Sequence, residues 1–169
     1  MGNGLVITGM SLAPDSITPA MIDIDAAAKI GMGVRVDRTT AALVASGTAA
    51  LFNVVGGRVK VIQVIGYITT VIQTQACNLK LAANPTAAGT SMDLCADLNV
   101  SAAAAFSSLY CTGTAANAML NTVAVIAQAT NWIVSAGTID HVTSATNTGS
   151  VQWSIWYYPI DEGATITAA

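Results

Sequence analysis

The segment SVQWSIWYYPI, residues 150–160, alternates so strictly that its backbone conformation is hardly in question. Val151, Trp153, Ile155 and Tyr157 fall on one side of an extended chain; Ser150, Gln152, Ser154, Trp156 and Tyr158 fall on the other. A strand this heavy on one side needs a second layer to bury it, which limits the fold to packed sheets or a closed barrel. Truncating Trp153 to Ala is expected to cost about 3–5 kcal/mol. Trp156 and Tyr158 are left on the other side without evident cover. A subunit contact, an intrachain loop or a bound sugar would each supply it.

The rest of the chain reads the same way. ACNLKLAANP alternates and stops at Pro85. TSMDLCADLNV places Met92, Leu94, Ala96 and Leu98 on one side, with Asp93 and Asp97 on the other. SSLYCTG, AMLNTVAVIAQA and NWIVSAGTIDHVTSAT are short, β-branched or Thr-rich, and Gly, Asn and Thr separate them. The expected fold is an all-β single domain, a β-sandwich or jelly-roll-like structure, over residues 50–169. Residues 1–49 read as an irregular N-terminal arm. Within it GLVITG suggests a short strand, TPAMIDIDAAAKIG a short helix or an extended arm, and GVRVDRTT an exposed strand.

LFNVVGGRVKVIQVIGYITTVI, residues 51–72, divides at Gly56-Gly57, a pair suited to a tight primed turn. Pairing across it sets Val55 against Arg58, Val54 against Val59, Asn53 against Lys60 and Phe52 against Val61, which predicts a hairpin. Beyond this point Ile62, Val64, Ile68 and Ile72 share one side, while Ile65, Tyr67 and Val71 share the other. Such a strand is expected to be covered on both faces, the first set by a partner. A bulge near Gln63 would instead exchange the two faces.

Charged residues make up only 9% of the 169-residue chain, against roughly 25% in an ordinary soluble domain. Either the surface is an unusually uncharged one of Ala, Thr, Ser and Asn, or much of it is buried against something else, which is a first indication of an assembled state. Mean hydropathy is +0.60, but the charge-free windows carry too many Gly, Gln, Asn and Thr for a spanning helix, so no membrane association is expected. The opening MGNGLVITG lacks a basic stretch followed by an apolar run, and no secretion signal is expected. The six Lys and Arg are scattered and end at Lys80, which argues against nucleic acid. Cys77, Cys95 and Cys111 form no CxxC pair and read as buried free thiols of a reducing compartment.

Chemistry is sparse. The single histidine, His141, reads as a surface or loop residue, with Asp140 on the opposite side of the strand. No GxSxG elbow accompanies it. No metal or cofactor is expected, since neither the lone histidine nor the cysteine spacing makes a ligand set. Asp23 and Asp25 read as solvated carboxylates, and GMGVRV has Val36 where a dinucleotide loop needs its third Gly. The chain is therefore expected not to be an enzyme.

Three stretches carry a resemblance: LFNVVGGRVKVIQVIGYITTVIQTQA, KLAANPTAAGTSMDLCADLNV and GTIDHVTSATNTGSVQWSIWYYPIDEGATITAA. Phe52, Val54, Gly56, Gly57 and Val59, then Asn84, Pro85, Thr86, Asp93, Leu94, Cys95 and Ala96, then Thr148, Gly149, Trp153, Ile155, Tyr157 and Pro159 follow the order of a pattern. It resembles that of small virion structural proteins encoded by tailed bacteriophages. The resemblance spans roughly residues 50–169. It implies a non-enzymatic capsid decoration (cement) protein on the phage head, made in the bacterial cytoplasm and partnered with the major capsid protein and with itself. A trimer would suit the local three-fold positions of a shell. The contact residues would be Ile62, Val64, Ile68, Ile72, Trp156 and Tyr158. The rival expectation is a tail- or fibre-associated carbohydrate- or receptor-binding β-sandwich using Trp156 and Tyr158.

Overall fold

The computed structural model describes residues 33–43, 46–87, 89–125 and 127–169. The segments GLVITG and TPAMIDIDAAAKIG, for which a strand and a helix were expected, lie outside these. The described residues form strands and no helix. In chain order the first strands are β1 (Val34–Asp37), β2 (Ala41–Ala42), β3 (Gly47–Val55), β4 (Val59–Thr70) and β5 (Asn78–Pro85). Next come the short β6 (Met92–Asp93), β7 (Leu98–Asn99), β8 (Ser108–Tyr110), β9 (Leu120–Thr122) and β10 (Trp132–Val134). The last are β11 (Gly137–Thr143), β12 (Ser150–Pro159) and β13 (Thr165–Ala168).

Two antiparallel sheets pack face to face as a β-sandwich. One has seven strands, ordered β1-β12-β4-β8-β9, with β10 on β4 and β2 on β12; the other has six, ordered β13-β3-β11-β5-β6, with β7 on β5. Strands β1, β2 and the start of β3 belong to these sheets, so the sandwich draws on residues ahead of position 50. The expected strand GVRVDRTT is the edge strand β1, with Val34 and Val36 half-buried and Arg35 and Asp37 exposed.

β12 matches its sequence pattern. Val151, Trp153, Ile155 and Tyr157 are all buried in the core. Its neighbour β4 makes room for the largest of them, because Gly66 lies opposite Trp153. A Cβ on Gly66 would stand 2.8 Å from Trp153 Cζ3, so the indole occupies the space a side chain would take.

The hairpin is not formed. β3 pairs with β11 and β13, and β4 pairs with β12, β8 and β10; Gly56-Gly57 carries the chain from one sheet to the other. Phe52 and Val54 enter the core from the six-stranded sheet, Val59 and Val61 from the seven-stranded one. A hairpin and a crossing between sheets bury the same alternate residues, so the local pattern fits both. What selects the crossing is the chain beyond β12. A Cβ on Gly56 would lie 2.4 Å from the Gly163 carbonyl oxygen. Asp161 reaches under the corner to accept hydrogen bonds from Arg58 N at 2.7 Å and Nε at 3.0 Å, and from Nη2 at 2.8 Å.

TSMDLCADLNV is likewise not one strand. It breaks into β6 and β7, with Met92 exposed while Leu94 is buried.

Candidate functional site

The alternation of β4 is broken by two bulges. Trp156 pairs with Gln63 and Tyr157 with Val61, which leaves Ile62 unpaired; Thr69 is skipped in the same way between Ile68 and Thr70. The inward positions are therefore Val59 and Val61 before the first bulge, then Val64, Gly66 and Ile68 after it. This corrects the expected contact set. Val64, Ile68 and Ile72 are 0%, 0% and 1% exposed and lie in the chain's own core, out of reach of a partner. Ile62 is half-buried, its Cδ1 against the backbone of Gly33. One extra residue moves everything beyond it to the opposite face, so the outward set is Ile65 and Tyr67, the side opposite the one expected.

Trp156 and Tyr158 are half-buried on the outer face of the seven-stranded sheet. Cover for Trp156 comes from a neighbouring strand, not a loop. Arg35 of β1 lies opposite it, with the guanidinium carbon 5.1 Å from the ring centroid. A cation over an indole contributes about 0.5–1 kcal/mol at an exposed site. Arg35 Nε also donates to Asp37 Oδ1 at 2.8 Å, and Ser154 Oγ donates to the same oxygen at 2.6 Å. The Ser154 hydroxyl and the adjoining guanidinium together hold the Asp37 carboxyl below its usual range.

Beside these, residues of the adjoining strands extend the face. Tyr67 on β4 pairs with Gln152 on one side and Ser108 on the other, and its ring meets that of Phe106 at a centroid distance of 6.4 Å. Phe106 is 73% exposed and Ile133 of β10, opposite Lys60, is 66% exposed. Leu120 of β9 is exposed as well. Phe106 and Ile133 were not among the expected contact residues, because their placement beside Tyr67 and Lys60 depends on strand pairing over long sequence distances.

The other candidate groups sit on or behind the six-stranded sheet. His141 is not a surface residue: it lies on the inward side of β11 with Ile139 and Thr143 and is 2% exposed. Among the described residues neither ring nitrogen has a hydrogen-bond partner. Burial, reinforced by the positive charge of Arg38 and partly opposed by Asp140, lowers its pKa to about 4. Asp140 points to the opposite side of the strand, as expected, yet it is also buried, with Oδ1 unpartnered among the described residues. Cys77, Cys95 and Cys111 are buried free thiols, in agreement with the sequence. The hydrogen bond between Cys95 and Cys111 lowers the pKa of the first and raises that of the second.

Among the described residues no three His, Cys, Asp or Glu side chains are grouped so as to hold a metal ion, and no helix is long and apolar enough to cross a membrane. No protein-family model, curated protein or solved structure matches the chain.

Proposed function

We propose that this chain is a structural assembly protein that associates with copies of itself through the outer face of its seven-stranded sheet. The observation that carries this reading is the exposure of Tyr67, Phe106, Leu120 and Ile133 on the side that also carries Trp156 and Tyr158, in a chain with only 9% charged residues. Large exposed apolar side chains grouped on one face mark interaction surfaces. Aromatic residues in particular are enriched in the buried centre of interfaces.

The finer proposal follows the sequence resemblance: a decoration protein of a tailed-phage head, assembled as a trimer and bound to the major capsid protein. Bridging capsid subunits calls for broad shape-matched contact and for no reactive group, which suits the outer face. The rival reading, a sugar stacked on Trp156, has less support because Arg35 already stacks on that ring.

Light scattering after gel filtration, over a wide concentration range, tests the assembly. The expected result is a trimer that Tyr67→Asp or Trp156→Asp reduces to a folded monomer. A wild-type monomer at every concentration, with no binding to purified phage heads, would overturn the proposal. Mass spectrometry of head and tail fractions tests the finer assignment, with peptides of this chain expected in heads alone.

A further inference from the structure

Among the described residues other than glycine, a positive φ occurs at Ser46, Ala102 and Phe106. The first two carry small side chains. Phe106, at φ +70°, is a bulky residue in the left-handed region, where its Cβ crowds the backbone and Gly or Asn would sit with less strain. Hydrogen bonds hold the backbone there. Phe106 N donates to Ile68 O at 2.8 Å, and Ile68 N donates to Ser107 O at 2.9 Å. Ser107 Oγ ties the turn to Ala104 O at 2.8 Å. The result is a ring 73% exposed on the outer face of the seven-stranded sheet, beside Tyr67. A turn that served the fold alone would avoid both the strain and the exposed ring. Backbone strain of this kind collects at functional positions.

The same face carries a recess that fits such a ring. Tyr110 lies opposite Ile65, and Leu120 opposite Tyr110, so both share the outward side with Ile65 and Tyr67. With Thr112, Ala127 and Ala129 they line a cavity of about 150 Å³. Tyr110, 3% exposed, forms its floor, while Leu120, Ala127 and Ala129 are exposed around it. An apolar cavity of about 150 Å³ takes up a benzene ring. Among the described residues no charged side chain lines this one, and Ala105 and Ser107 flank Phe106. Seating the ring there therefore buries no unpaired charge. The ring cannot fill the pocket of its own copy. Phe106 and Tyr110 are separated by roughly 13 Å of extended chain, and the Phe106 ring is turned to Tyr67.

We infer, on the assembly reading, that the Phe106 ring of one copy seats in the Tyr110–Leu120 pocket of the next. Each copy gives one ring and receives one, a head-to-tail contact that closes when the copies complete a circle. Tyr67 and Ile133 then border this anchor and keep water from it, as near-neutral contacts do around a dominant one.

Two complementary variants test the contact. Phe106→Asn removes the ring and leaves a residue that tolerates the positive φ. Ala129→Leu keeps the ring and fills the pocket; Ala127→Leu fills it from another wall and serves if the Ala129 variant does not fold. In sedimentation velocity each is expected to weaken self-association about thirtyfold, with an unchanged circular dichroism spectrum. Mixed in equal amounts, the two are expected to form a 1:1 complex, because the ring of the Ala129→Leu chain still fits the open pocket of the Phe106→Asn chain. Wild-type assembly by either variant would overturn the inference and leave the assembly reading standing, with Ile133→Ala then the variant expected to separate the copies. Failure of the mixed variants to associate would overturn it as well. A wild-type monomer at every concentration would overturn the inference and the assembly reading together.

Discussion

Two adjacent residues, Asp140 and His141, show how little of a buried polar group is visible in sequence. Period-two alternation places them on opposite sides of β11, and the structure agrees. Alternation does not reveal that both are buried: His141, facing the sandwich interior, is 2% exposed, and Asp140, on the other side, is 4% exposed. A pH prediction follows for the histidine. Its pKa is near 6.5 in the unfolded chain and about 4 when folded. Between those values the unfolded chain binds more protons, so stability rises with pH across the window. It is fully present above 6.5 and lost as pH falls toward 4, by an amount on the order of 3 kcal/mol. Denaturant titrations from pH 4 to 7 are expected to show this slope in the wild type. It should be largely absent in His141→Leu, which also removes two unpartnered nitrogens. Equal slopes in the two proteins would mean that His141 finds a proton or a water in the folded state.

At the scale of elements, the last strand was legible because each position of β12 is decided by one choice, inward or outward. The Gly56-Gly57 corner was not. Its own residues are compatible with a hairpin, and the groups that select the crossing, Asp161 and Gly163, lie more than a hundred residues on. The bulge at Ile62 was recognisable only as one of two options, since the extra residue is defined by its partner strand. The corner makes a prediction that separates backbone strain from crowding. Gly56 has φ +79° and no room for a Cβ; Gly89 has φ +62° and open space around it. Gly89→Ala is expected to cost about 1 kcal/mol, the penalty of the left-handed region alone. Gly56→Ala is expected to cost about 3 kcal/mol or more, because the corner must also move off Gly163. Urea unfolding of the two variants compares them directly. A similar, small loss for both would show that the corner is loosely held and that the Arg58–Asp161 contact does not fix the crossing.

For the molecule as a whole, low charge in the sequence is compatible with a covered surface, but where the proposed one would lie depends on the three-dimensional arrangement. Which face of β4 looks outward depends on the bulge, and which aromatics stand together depends on the pairing of β4 with β8, β10 and β12. The character of the proposed interface nonetheless predicts how it responds to salt. Its members are Tyr67, Phe106, Leu120, Ile133, Trp156 and Tyr158, with Arg35–Asp37 and Lys60 at the same face. Charge contacts are screened to within about 3 Å at about 1 M ionic strength. Apolar burial is not screened, and sulfate strengthens it. An oligomer held by the aromatic patch should therefore keep its mass in about 1 M sodium chloride and dissociate less readily in ammonium sulfate. One held by ion pairs between copies should fall apart as chloride rises. Sedimentation velocity across a salt series distinguishes the two. Dissociation by chloride would move the contact away from Tyr67 and Phe106 toward the charged positions of β1 and the Arg58 corner, and Arg35→Gln rather than Tyr67→Asp would then be the variant that yields a monomer.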